Sequence, residues 1–296
     1  MDRLEGMSVL LAVVEEGSLS GASRRLRTPL ATVSRKIANL EKHLRAQLLV
    51  RTSRQIQLTD AGRIYAEAAK RILEQVDEAE RDATGEQNAP KGELYVTAPM
   101  VFGRTHVLPV AIHFLKEHPE IELRLLLNDR QVNMVEEHVD VAVRIGHLAD
   151  SDLRATKVGE VRRVACASPA YLADRGTPMA PKDLTAHDGI TFKGFKIAPE
   201  WRYRGDNPEW TAEPRKRLAV NSTEAAIAAA VAGLGVVRLL SYQVEQELQS
   251  GALVLILEDF APQSLPVSLV YPETSLRFHK VRAFLDWAAP RLRALF

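Results

Sequence analysis

Apolar positions repeat at two different periods along this 296-residue chain, and the change of period marks its organisation. Leu4, Met7, Leu11 and Val14 recur every three to four residues, which predicts a first helix over residues 4–16. Gly17 stops that helix, and Ser18 or Ser20 is placed to cap a short second one ending at Leu26. Arg27-Thr28-Pro29 then predicts a turn, with Thr28 as N-cap and Pro29 opening a third helix that reaches Leu44. Val33, Ile37, Leu40 and Leu44 fall on one stripe of it. Residues 48–51 and 56–58 read as two short strands around a polar turn, a small wing. Thr59 can cap a long proline-free helix over residues 60–84, whose Ile64, Ala68, Ile72, Val76, Ala79 and Ala83 keep helical spacing. Residues 85–92 carry glycine, asparagine and proline and read as a linker.

Beyond Gly92 the pattern changes. Runs rich in apolar and β-branched residues, at 94–98, 121–127 and 139–145, alternate with helical patterns at 104–117, 131–138, 222–233 and 275–289. Such alternation predicts an α/β domain with a largely parallel sheet. No internal repeat or low-complexity tract interrupts it. The chain is therefore an α/β multidomain protein with a helical head.

Charge sharpens the reading of the head. The whole chain has a formal net charge of only +1, yet residues 24–54 hold nine basic side chains against one acid, Glu41. A basic segment on a three-helix unit with a wing points to a winged helix-turn-helix that binds duplex DNA. Ala31 and Ser34 are small enough for close approach to a groove, and Arg35 and Lys36 are long enough for phosphates or guanine edges. Thr28, Leu30, Thr32 and Arg51 complete the candidate DNA face, with Arg54 placed to enter a minor groove from the wing tip. A three-helix bundle with a merely solvated basic face would show the same composition.

The motifs go further. Val33-Ser34-Arg35, Ile37, Leu40-Glu41, Arg51, Arg54, Leu58-Thr59 and Ala61-Gly62 fall in the register of the LysR-type regulators, which the head resembles over about sixty residues. One stretch departs from the family. Where members often have Gly-x-Ser-Gln-Ser, this chain has Arg27, Thr28, Pro29, Leu30 and Ala31. The missing glutamine is a bidentate adenine reader, so operator preference is expected to differ and to lean more on DNA shape. The resemblance implies that residues 60–91 form a linker helix and hinge that pairs two chains, the alternative being a helix folded onto its own head. A homodimer, and a homotetramer built from it, follow from the same resemblance, with RNA polymerase as a candidate partner.

Residues 92–296 resemble the LysR effector domain, a two-lobed α/β fold like that of periplasmic binding proteins. The resemblance rests on the run from Gly92 to Pro99, Phe102-Gly103-Arg104, Leu108-Pro109, His118-Pro119, the run from Val139 to Gly146, and Gly233-Leu234-Gly235. It implies a first lobe of about 92–162 plus 268–296 and a second of about 163–267, with crossovers near 162–167 and 263–267. A small-molecule effector, of which a carboxylate is one candidate, is expected in the inter-lobe cleft. Candidate contacts are Thr97, Ala98, Pro99, Met100 and Phe102 after the first strand, Arg144 and Gly146 at the end of another, and Asn221, Ser222 and Thr223 at a helix start. Each has a plainer reading: Asn221-Ser222 as a helix cap, Thr97 as a backbone partner, Arg144 as half of a structural pair.

Competing functions are weighed on the same residues. An enzyme would need a catalytic motif, and no P-loop, G-x-S-x-G, H-E-x-x-H or C-x-x-C is present. A solute-binding protein without DNA activity would share the two-lobed fold but would not need the basic head. No metal or cofactor is expected. The single cysteine, Cys166, excludes an internal disulfide and reads as core, with redox sensing as the alternative. No membrane partner is expected, and the acidic N-terminus is unlike a secretory leader, so the expected location is the cytoplasm.

Overall fold

The computed structural model describes residues 2–51, 56–84, 89–130, 132–134, 136–148, 152–192, 201–203 and 211–296. The chain divides into two compact units, residues 1–88 and 89–296.

The first unit opens with α1 (Arg3–Glu15), α2 (Leu19–Arg25) and α3 (Leu30–Leu44). Their apolar faces meet around Leu10, Val13, Val33, Ile37 and Leu40. On α1 the deepest side chains are Leu10 and Val13, whereas Leu4 is exposed and Leu11 and Val14 lie at the margin. The run from Val9 to Val14 is apolar on every side, so periodicity alone could not choose its buried face. Asp2 caps α1 by accepting from the Glu5 amide, and Ser18 caps α2 by accepting from the Gly21 amide. Thr28 does not cap α3. Its hydroxyl donates to the Leu26 carbonyl, and Pro29 takes the cap position, with φ −54° and ψ 138°. Proline's fixed φ suits an extended residue as well as a first helical one, and here the chain is still extended at Pro29. Strands β1 (Leu49–Arg51) and β2 (Ile56–Leu58) pair antiparallel as the wing, and α4 (Asp60–Thr84) follows.

The second unit contains two five-stranded sheets. In the first, β3 (Gly92–Ala98) lies between β4 (Ile121–Leu127) and β5 (Val141–Ile145), all parallel. Antiparallel β14 (Leu265–Pro272) then joins β5 to the edge strand β6 (Leu153–Val161), giving the order β4-β3-β5-β14-β6. In the second, β8 (Asp188–Phe192) lies between parallel β11 (Arg215–Val220) and β12 (Val236–Leu240). There β7 (Arg163–Ala167) and β13 (Val254–Ile256) run antiparallel, in the order β11-β8-β12-β7-β13. A short separate pair, β9 (Trp201–Arg202) and β10 (Thr211–Ala212), covers part of one face. Both sheets are thus mixed and not largely parallel, because the chain enters the second sheet by β7 and returns to the first by β14, each antiparallel to both strands it pairs with. β14 begins in the first sheet at Leu265, within the crossover expected near 263–267 and three residues before the first lobe was expected to resume at 268.

Two predicted helices are reshaped. Over 131–138 the described residues form turns and no helix. The Glu137 amide donates to the Asn133 carbonyl in one helical turn, the Val139 amide reaches back to the Met134 carbonyl, and His138 turns left-handed at φ +52°. Val132, Met134 and Val139 are drawn instead into a small cluster with Ala142 and Val270. Over 104–117 the helix is broken in type: α5 (Met100–Phe102), a π-helical stretch Gly103–Val107, then α6 (Leu108–Glu117). Pro109 has no amide for a bond to residue 105, so the coil widens just before it. The remaining helices are α7 (Pro169–Arg175), α8 (Thr223–Val231), α9 (Glu245–Gln249) and α10 (His279–Arg293), the last starting four residues later than its pattern predicts, after a 3-10 turn. The first sheet is sealed by Phe102, Phe114 and Phe284, and the second by α8 on one face and by Trp201 and Tyr203 on the other. Among the described residues no helix is long and apolar enough to cross a membrane, and no acid, histidine and cysteine cluster could hold a metal.

Candidate DNA-binding surface and effector cleft

Burial of Val33, Ile37 and Leu40 fixes which face of α3 is outward. Directly opposite lie Ala31, Arg35, Ala38, Asn39 and Lys42, all exposed. Leu30 is also exposed, 49%, while Thr28, Thr32 and Ser34 are half-buried at its margins. Lys36 turns toward α1 and forms an ion pair with Glu5, so it does not belong to the outward face. Arg25 is similarly held by Glu15 and Glu16. Arg24, Arg27, Arg35, Lys42 and Arg45 remain exposed and without ion pairs among the described residues. Arg51 ends β1 with its side chain outside the described set, and Arg54 lies outside the described residues. Asn39 and Lys42, which were not among the expected contacts, are also placed outward by the helical wheel that buries Val33.

The other motif residues hold the wing's root. Glu41, the one acid of the basic segment, accepts from the amides of Leu48 (2.8 Å) and Leu49 (3.1 Å), which would otherwise enter β1 unbonded on that side. Thr59 donates from its amide to the Leu48 carbonyl (2.9 Å) and from its hydroxyl to the Gln47 carbonyl (2.7 Å). The same hydroxyl accepts from the Gly62 amide at 2.9 Å, capping α4. Gly62 is required by contact: a Cβ there would stand 2.0 Å from the Leu48 carbonyl oxygen. Arg27, at the position where the family often has glycine, is left-handed at φ +49°. That conformation is comfortable for glycine and strained for arginine.

Helix α4 answers both readings of the linker. Its first turns fold onto the head through Tyr65, Ala66 and Ala69. Ile64 and Ile72, on another face, stay 72% and 38% exposed, with Ala68 and Val76 between and beyond them half-buried. The Ala83 side chain lies outside the described set.

In the second unit the parallel strands β3, β4 and β5 end at one edge of the first sheet, which brings Ala98–Met100, Asn128–Asp129 and Ile145–His147 together. Here the backbone lies open: Gly146, at φ +118°, has no atom within 4 Å of where a Cβ would be. Met100 is exposed and its amide donates to Asp129 at 3.0 Å. Burial raises the pKa of Asp129, and like charge from Glu224 at the start of α8 adds to that against the Met100 bond. The Asn128 side-chain oxygen is buried with no hydrogen-bond partner among the described residues.

Several predicted contacts have structural work instead. Thr97 is fully buried and donates to the Leu126 carbonyl at 2.9 Å. Arg144 is half-buried and donates to the Val132 carbonyl at 3.2 Å; burial lowers its pKa, opposed by Glu137. Ala98 and Pro99 are buried. Phe102 is fully buried, stacked on His106 at 4.6 Å and edge-on to Tyr242 at 5.2 Å, and packs in the core of the first sheet. The register explains the split. Thr97 pairs with Ala142, so Thr97 and Arg144 share the sheet face opposite the one that buries Val96, Ala98 and Phe102. Ser222 caps α8 through the Ala225 amide and donates to Glu224, Thr223 is buried, and Asn221 is exposed. Cys166 is fully buried, and burial, then Glu247, pushes its thiol up to about 12, which disfavours the thiolate.

Comparison with known proteins bears on both units. Residues 4–63 match the model of the bacterial regulatory helix-turn-helix protein, lysR family, and residues 87–293 match the LysR substrate binding domain. The Escherichia coli HTH-type regulator YhjC is 32% identical, with 98% of this chain and 97% of that protein aligned. CrgA of Neisseria meningitidis is 32% identical over 97% of this chain and 96% of its own. The solved CrgA structure superposes with a TM-score of 0.62 at 31% identity, over 97% of this chain and 98% of that one. Full-length AphB of Vibrio cholerae gives a TM-score of 0.60 at 26% identity, over 96% of this chain and 98% of that one. These likenesses run through the head and the α/β unit together, which neither an enzyme nor a solute-binding protein without DNA activity would show. The chain belongs to the LysR family of transcriptional regulators, which bind DNA through a helix-turn-helix and small-molecule effectors through the α/β domain.

Proposed function

We propose that α3 lies in the major groove of an operator and reads it with the face carrying Leu30, Ala31, Ser34, Arg35 and Asn39. The observation that carries this reading is the outward face of α3, on which Arg35 has no ion pair among the described residues and no core role. Thr28 and Thr32 flank that face, Arg24, Arg27, Lys42 and Arg45 supply phosphate contacts, and Arg51 and Arg54 belong to the wing. Replacing Arg35 by alanine is expected to weaken operator binding by about 1–3 kcal/mol in a gel-shift titration, with thermal stability unchanged. Wild-type affinity in that variant would remove Arg35 from the interface.

Residues 1–59 are proposed as the DNA-binding domain, 60–91 as linker and hinge, and 92–296 as the effector domain with the lobe limits given above. The exposed Ile64 and Ile72 support pairing of α4 with a second copy, which light scattering of the full chain tests. The effector site is proposed at the open edge formed by Met100, Asn128, Asp129 and Gly146, facing the start of α8 at Ser222. Asp129 and Glu224 favour an effector that presents a hydrogen-bond donor or a cationic group, alone or beside a carboxylate, over a bare carboxylate. Binding there would shift the population between lobe or subunit arrangements by no more than the difference in affinity for the two. Whether transcription rises or falls is left open by the relatives, whose names include both a repressor of Pseudomonas aeruginosa and an activator of Escherichia coli. The cytoplasm and contact with RNA polymerase complete the proposal.

A further inference from the structure

Asp188 opens β8 and is only 7% exposed, yet three guanidinium groups gather around its carboxylate. Arg215, its partner across the parallel pair with β11, meets Oδ1 through Nε at 2.8 Å and Nη2 at 2.6 Å. Arg175, the last residue of α7, reaches Oδ2 at 3.4 Å. Arg217 stands 3.9 Å from Oδ2, too far for a hydrogen bond. The base on which they sit is fixed. The Asp188 amide donates to the Tyr171 hydroxyl at 2.9 Å, and a Cβ on Gly235 would stand 2.3 Å from the Asp188 carbonyl oxygen. A buried carboxylate needs partners, and Arg215 and Arg175 supply them. Arg217 is not required for that purpose. It falls where the register of β11 on β8 shifts between Lys216 and Leu218, so it has no partner on β8. An extra residue of this kind kinks a strand and re-aims a side chain, and here it lies on the edge strand of the second sheet.

All three arginines are exposed. Besides Asp188, the acid that pairs with them among the described residues is Asp174, 3.6 Å from Arg175 and itself exposed, a contact that water screens. Lys216, between Arg215 and Arg217 in sequence, is paired with Glu213 instead, at 3.3 Å. Three cations against two carboxylates leave a surplus of positive charge, and each guanidinium carries five N–H donors of which few are engaged. One guanidinium fork takes two oxygens, so forks arriving from several directions are bridged more completely by a tetrahedral oxyanion than by a second carboxylate. An acidic peptide added along the edge of β11 would need an unbroken ladder, which the shift at Arg217 interrupts. We propose that Arg175, Arg215 and Arg217 form a phosphate-binding site, filled by inorganic phosphate or by the phosphate group of a small monoester. The site lies at the start of β8 and β11, whereas Asn221 and Ser222 follow the end of β11, so it is separate from the proposed effector edge.

The test is thermal unfolding of the full chain titrated with inorganic phosphate and, separately, with glycerol phosphate, at an ionic strength held constant with sodium chloride. Wild type is compared with Arg217→Gln, Arg175→Gln and Lys216→Gln. Each variant loses one positive charge, and Lys216, held by Glu213, reports the general field of the protein and its basic head. Expected is saturable stabilisation of wild type and of Lys216→Gln by at least one of the two probes, and the probe that acts identifies the source of the phosphate group. Arg217→Gln should weaken it about tenfold, as loss of a hydrogen bond to a charged group implies, and Arg175→Gln by a similar factor. Arg217 makes no hydrogen bond to Asp188, so Arg217→Gln should unfold at the wild-type temperature in chloride alone, and a folding defect does not mask the result. The proposal is overturned by an absence of stabilisation in wild type, by stabilisation that Arg217→Gln and Arg175→Gln leave unchanged, or by an equal loss in Lys216→Gln.

Discussion

The head and the α/β unit use their polar motif residues in opposite ways. In the head, Glu41, Thr59 and Gly62 close backbone gaps at the wing's root, and the face of α3 beyond them is left outward with Arg35 on it. In the α/β unit the polar residues singled out for a ligand, Thr97, Arg144 and Ser222, are each engaged by their own fold. The difference follows from distance along the chain. The head's motif residues act on neighbours within about twenty positions, so their spacing encodes their contacts. The proposed cleft draws on strand ends near 98, 128 and 146 and on the start of α8 near 222, and the sheet register decides which side chains of the strand ends lie at that edge.

The comparison can be broken most sharply at Phe102. As a fully buried ring in the first lobe it should cost about 3–5 kcal/mol of stability when replaced by alanine, measured by chemical denaturation of the full chain. Near-wild-type stability with weakened effector binding would return Phe102 to the cleft and undo the contrast. Next is Gly62→Ala, where the added methyl meets the Leu48 carbonyl. A loss of about 1–3 kcal/mol confined to the head is expected, visible as faster amide exchange in β1 and β2 with the α/β unit unaffected. If α4 simply shifts and exchange is unchanged, the wing's root is less closely fitted than the geometry implies. The smallest effect is expected at Arg27→Gly. Relief of the left-handed backbone should raise stability by about 1 kcal/mol, while loss of a cation should weaken DNA binding and lower its salt dependence by about one ion. A stability gain without the change in salt slope would remove Arg27 from the phosphate contacts.

Much of the architecture was readable beforehand because it rests on local rules. The third helix, the wing, the long helix capped by Thr59 and the strand at Gly92 all follow from spacing, caps and breakers, and the LysR motifs placed them in a family. What was not readable depended on tertiary competition. Residues 131–138 have a helical composition, yet Val132, Met134 and Val139 gain more by packing under β5 and β14 than one helical turn offers. Lys36, expected to reach DNA, is paired with Glu5 by the packing of α1, which its spacing on α3 could not show. Ser222 and Thr97 were correctly singled out as polar residues at special positions, but their plainer readings, a helix cap and a backbone partner, are the ones the geometry shows. Asn128 and Asp129 were overlooked because nothing in a strand's end announces that it will face another strand's end.

The contact between Gly62 and Leu48 also has a mechanical consequence. With the first turn of α4 seated directly on the backbone of β1, and Glu41 of α3 bonded to the amides on either side, three elements meet without a compliant layer between them. A rotation of α4 cannot be absorbed by side chains at that junction. It is delivered to the wing and to α3 as a rigid turn, so α4 works as a shaft keyed to the face of α3 proposed to read DNA.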